Sequence, residues 1–96
     1  MPEVTVTLRN KKISVDKNIV QASVSKGQRV QWSSTDGGFQ IAFKPGSDWP
    51  NPPAAREKDG VWSTECGPFN RPDSTLRYAV TATGFDPLDP DIEVIP

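Results

Sequence analysis

The chain has 96 residues, about a third of them apolar, enough for one compact core and too few for two. Eleven lysines and arginines against twelve aspartates and glutamates leave a net charge of −1. That balance argues against a nucleic-acid partner or an anionic membrane surface, no apolar run is long enough for a helix to span a bilayer, and the absence of histidine removes the commonest general base and metal ligand.

The opening residues Met1-Pro2-Glu3-Val4 are not a basic segment followed by an apolar one, so no signal peptide is visible and the expected setting is the cytoplasm. The single cysteine has no partner for an internal disulfide, which suits a reducing compartment. Val4, Val6 and Leu8 alternate with Thr5 and Thr7, the pattern of a half-buried strand rich in β-branched residues. A turn is expected at Asn10, with Arg9, Lys11 and Lys12 as its solvated charges, and Ile13 and Val15 resume the alternation. Asp16-Lys17-Asn18 breaks it. Ile19 to Val24 is the next strand, with Val20, Ala22 and Val24 on one face, and Ser25-Lys26-Gly27 turns the chain.

Gly27 to Phe43 reads as one β-hairpin. Val30 and Trp32 alternate on one side, Phe39, Ile41 and Phe43 on the other, and Ser33 to Gly38 supplies a polar, glycine-rich turn. Lys44 to Gly60 then loses the alternation and carries four prolines, an unusually long connection of a kind that often serves function. Within it Asn51 suits a helix N-cap, Pro52 the first helical position and Gly60 the C-terminal cap. Ala54 to Asp59 favours helix, so one or two helical turns are expected there.

Val61 to Cys66 is a short strand or extended segment, and Gly67 to Asp73 an irregular connection. Leu76, Tyr78, Val80 and Ala82 alternate cleanly. Gly84 to Pro90 is a turn region with two Asp-Pro steps, and Ile92 and Val94 mark the last strand. Roughly seven short strands with regularly spaced turns predict one all-β domain over residues 1–96, a Greek-key β-sandwich with one short helix in its long central loop. An immunoglobulin-like sandwich is the alternative.

Several of these segments resemble the cupredoxin family. The run Ser25 to Trp32 is similar to that family's G-x-x-V-x-W strand, and Phe39 to Phe43 to the strand that follows it. Leu76 to Val80 and Asp91 to Ile95 resemble its last two strands, so the likeness covers most of the chain from about Ile13 to Ile95. The family's type 1 copper site needs two imidazoles and a thiolate, usually with an axial thioether. The resemblance places those ligands near Phe39, Val80, Thr83 and Leu88, and none matches. It therefore implies a cupredoxin-like scaffold without the copper site, and no cofactor.

Candidate sites are few. Cys66 has Glu65 beside it, a charge that opposes a thiolate, and reads as a structural cysteine rather than a nucleophile. Asp86, Asp89 and Asp91 offer oxygen ligands in a short turn, although two of them precede proline and side-chain turn bonds explain them as well. Trp49 and Pro50, with Pro52, stand in the long loop, and Trp62 and Phe69 follow. Planar aromatics on loops anchor protein partners or stack on sugars, or else cover the core as a satellite cluster. Arg56 and Arg71 border that patch.

The expected function is a non-catalytic binding or assembly module, with a protein partner or a second copy contacting Trp49, Pro50, Pro52, Arg56, Trp62 and Phe69. A sheet edge at Val4–Leu8 is an alternative contact surface through strand addition. A carbohydrate-binding module using the same aromatics, and a metal-binding or redox protein using the C-terminal aspartates or Cys66, are the alternatives. No enzyme activity is expected.

Overall fold

The computed structural model describes residues 2–46 and 49–96, and its described regular structure is all strand. The strands are β1 (Glu3–Arg9), β2 (Lys12–Val15), β3 (Ile19–Ser23), β4 (Val30–Ser34), β5 (Gln40–Phe43), β6 (Arg56–Lys58), β7 (Val61–Cys66), β8 (Ser74–Thr81) and β9 (Asp91–Ile95). They form a five-stranded sheet in the order β2-β1-β4-β7-β6 and a four-stranded sheet in the order β3-β9-β8-β5. Both sheets are mixed. β1 runs parallel to β4 and β3 parallel to β9, and the remaining pairs are antiparallel. No described helix is long and apolar enough to cross a membrane.

Alternation in the sequence becomes burial in the sheets. Val4 and Val6 of β1, Val30 and Trp32 of β4, Leu76, Tyr78 and Val80 of β8, and Ile92 and Val94 of β9 all point into one core. The two sheets are tied across it by Trp32 and Tyr78. The indole Nε1–H donates to Tyr78 Oη at 3.0 Å, and the rings meet edge to face with centroids 5.3 Å apart. Phe43 of β5 packs on the other side of Tyr78, centroids 6.4 Å apart. Two sheets sharing a single core are what the expected β-sandwich requires.

The β1–β2 turn falls where the sequence puts it. Asn10 and Lys11 adopt φ of 53° and 61°, and Arg9 pairs with Lys12. That is the two-residue turn whose twist matches the strands it joins.

Three expectations are corrected. The central hairpin does not form: β4 pairs with β1 and β7, β5 pairs with β8, and residues 35–39 carry the chain from one sheet to the other. Val30 and Trp32 fill the core from one layer, Ile41 and Phe43 from the opposite layer, and that requires the crossing. The helix expected between Asn51 and Gly60 is absent. Arg56–Lys58 is an edge strand, joined to β7 through Asp59 and Gly60 at φ of 54° and 82°. Asp-Gly is a strong two-residue hairpin signal, and here pairing with β7 overrides the helix propensity of Ala54 to Lys58. Asn51, expected as an N-cap, instead accepts the Phe43 N–H at 2.7 Å. Finally, Val4–Leu8 is not a sheet edge, because β1 lies between β2 and β4.

Candidate functional site

The six aromatic, proline and arginine residues expected to share one surface are divided. Trp49 stacks on Phe69, ring centroids 5.2 Å apart and tilted by 40°. Its Nε1–H donates to Cys66 Sγ at 2.9 Å. Phe69 is only 5% exposed and belongs to the core, with Trp49 half-buried over it. Burial raises the Cys66 thiol pKa, and the Trp49 hydrogen bond only partly opposes this. A thiol so placed is a packing group and not an activated nucleophile.

Trp62 sits elsewhere. It is paired with Ser34 across β4–β7 and with Glu57 across β6–β7. Its ring lies under Gly38, where an added Cβ would come within 3.3 Å of the ring carbons. Arg56 is exposed on the β6 edge, Pro50 is exposed in the loop and Pro52 is half-buried.

The long loop is bonded at Asn51 and Ala55 to the end of β5 and to the residue before it. Asn51 Oδ1 takes the Phe43 N–H, and the Ala55 N–H donates to the Phe39 carbonyl at 3.0 Å. Thr64 Oγ1, buried on β7, donates to the Pro53 carbonyl at 2.7 Å. These bonds hold Ala54 and Ala55 beside the start of β5.

That arrangement builds a cavity of about 710 Å³ at one end of the two sheets. Leu8 from the end of β1 lines it, with Asp36 to Phe39 from the β4–β5 crossing and Gln40 from β5. Ala54 and Ala55 from the long loop line it too, as do Thr81, Ala82, Thr83 and Phe85, at and after the end of β8. The β1–β4 ladder ends at Thr5–Ser33, and beyond it the Leu8 N–H is received at 3.0 Å by Asp36 Oδ2. The Asp36 N–H in turn donates to Ser34 Oγ at 3.1 Å. The segment after β8 is set by paired bonds between Val80 and Leu88, 2.8 and 3.1 Å, and by the Phe85 N–H on the Ala82 carbonyl at 3.0 Å.

The cavity escaped the sequence reading because Asp36-Gly37-Gly38 reads as a hairpin turn. One signal was present. Of the four positions where the resemblance puts copper ligands, Phe39 and Thr83 line the cavity, and Val80 and Leu88 pair beside it. A second, smaller hollow of about 210 Å³ lies against Trp49, Phe69, Arg71 and Leu76.

The C-terminal aspartates have separate partners. Asp89 pairs with Lys44 at 3.0 Å and Asp91 with Arg77 at 3.7 Å, while Asp86 neighbours Lys12 through the backbone. Among the described residues no three acidic or thiol side chains gather in a group that could hold a metal ion.

No protein-family model matches the chain, and comparison with curated proteins and with solved structures found no match.

Proposed function

We propose that the chain is a non-catalytic binding module on a cupredoxin-like, Greek-key sandwich that lacks the copper ligands, and that it binds a small molecule in the cavity beside Asp36 and Phe39. The cavity carries this reading. It has the size of a small-molecule site, and its walls are apolar and polar in equal measure, with Asp36, Gln40, Thr81 and Thr83 among the polar groups. Among the described residues its lining holds no thiol, lysine or imidazole, and its only ionisable side chain is that of Asp36, which favours binding over catalysis. Support for the scaffold comes from the two mixed sheets around one core and from the crossing of the chain between them at 35–39. The missing helix is a departure from the resemblance.

The expected loop surface for a protein partner or a sugar is weakened by the same geometry. Phe69 is buried, and Trp49 spends one face on Phe69 and its N–H on Cys66. Pro50 and Arg56 remain exposed there. Amide NMR with a small-molecule fragment library separates the two. Shifts concentrated on Leu8, Gly37, Gly38, Gln40 and Thr83 are expected. Shifts gathered on Trp49, Asn51 and Arg56 would move the site to the loop. A library that perturbs neither set would remove the small-molecule reading.

A further inference from the structure

Resting on the reading of this cavity as a ligand site, the geometry points to its occupant as a small organic cation, an amine carried on an apolar or aromatic body. Among the described residues lining it, Asp36, an exposed residue, is the only charged one, and none is lysine or arginine. Among the described residues Asp36 takes part in no ion pair, a state it shares with Glu3, Glu57, Asp59, Asp73, Asp86 and Glu93, but of these only Asp36 lines the cavity.

The carboxylate is also held in place. Oδ2 is fixed by the Leu8 N–H, and the Asp36 backbone is fixed on Ser34 Oγ. Oδ1 is left to meet a donor from the ligand. A ligand anion would face an uncompensated carboxylate, and a neutral molecule would gain nothing from its charge.

The remaining walls suit the rest of such a molecule. Leu8, Ala55 and Ala82 are apolar, and Phe85 is a half-buried residue that also lines the cavity. An ammonium group near a phenyl face gains cation–π attraction in addition to its pairing with the carboxylate. Gln40, Thr81 and Thr83 add neutral hydrogen-bonding groups. The volume, about 710 Å³, accommodates a molecule larger than a simple ion.

The test uses three probes of one shape: 2-phenylethylammonium, 2-phenylethanol and phenylacetate, each titrated into 15N-labelled protein at low salt. The ammonium should shift the amides of Leu8, Gly37, Gly38 and Thr83 saturably and bind about fivefold or more tighter than the alcohol, with the anion weakest. Salt at 0.5 M should shrink the difference. Asp36→Asn keeps an acceptor for the Leu8 N–H and should bring the ammonium down to the affinity of the alcohol.

Equal binding of ammonium and alcohol at the cavity amides, or tightest binding of the anion, would overturn the cation assignment and leave the cavity as a ligand site. Cavity amides that respond to none of the three, when the fragment library does not move them either, would overturn both readings. Should Asp36→Asn fail to fold, the order of the three probes on the unaltered protein still decides.

Discussion

Removing one oxygen from the core should cost more than its size suggests. Trp32 and Tyr78 are both fully buried, and the 3.0 Å bond between them joins the two sheets. Tyr78→Phe keeps the ring, its edge-to-face contact with Trp32 and its packing on Phe43. It deletes only the acceptor for the indole N–H. A buried donor left without an acceptor costs about 1–3 kcal/mol. For a chain of this length each kcal/mol moves Tm by about 4–8 °C. A loss of about 2 kcal/mol should therefore lower Tm by about 8–16 °C, measured by near-UV circular dichroism or calorimetry. The decisive comparison is a double-mutant cycle. In a Trp32→Phe background there is no indole N–H to orphan, and Tyr78→Phe should cost much less there, with a coupling energy on the order of 1 kcal/mol. An equal cost of Tyr78→Phe in both backgrounds would refute the reasoning, because the hydroxyl would then be stabilising something other than Trp32.

Other consequences of the structure are as direct. Tyr78 is the only tyrosine, so absorbance near 295 nm titrates it alone. Burial pushes its pKa up to about 12, and the midpoint should lie well above 10 unless the protein unfolds first. Because the folded state holds this proton more tightly, its contribution to stability is complete below pH 10 and is lost as pH rises toward 12, about 3 kcal/mol in all. An ordinary midpoint near 10 in the folded protein would contradict this burial. Cys66 should react with an aromatic disulfide reagent at least tenfold more slowly in native buffer than in denaturant, since it is buried and its thiol pKa is raised. Equal rates would place it at the surface. Gly60→Ala, at φ 82° in the β6–β7 turn, should destabilise by about 1 kcal/mol in urea unfolding, and no change would mean that the turn relaxes to another type.

Which residues turn inward was legible in the sequence wherever one face of a strand is buried. Val4 and Val6, and Leu76, Tyr78 and Val80, alternate with polar or small neighbours, and each is buried in its strand. Which layer a strand joins was not legible. The apolar sets of β4 and β5 look the same whether the strands pair with each other or face each other across the core, and alternation alone does not separate the two. β6 was invisible for a different reason. Arg56, Glu57 and Lys58 are all exposed, so an edge strand of this kind has no buried face to give it a period of two. Its helix-favouring residues then dominated the local reading, although Asp59-Gly60 held the opposite signal. Trp49 and Phe69 stand out in the sequence as loop aromatics, but only the fold decides that Trp49 packs on Phe69 and donates to Cys66. The cavity is assembled from Leu8, Asp36 to Gln40, Ala54-Ala55 and Thr81 to Phe85, four separate stretches of chain, and no local window contains it.

The bonds from Asn51 and Ala55 to β5 have a consequence for self-association. An edge containing Ile41 and Phe43, flanked by Phe39, has the apolar, strand-forming character that templates other chains. Here the Phe43 N–H and the Phe39 carbonyl are already occupied by the loop. The loop is thus a guard against fibril growth, made of side-chain and irregular backbone groups in place of a tenth strand. Its release needs Ala55 and Trp49 to leave the core together, a local opening short of global unfolding. Solutions of this protein would then begin to aggregate below the global melting temperature, at a rate governed by how often residues 49–55 lift away from β5.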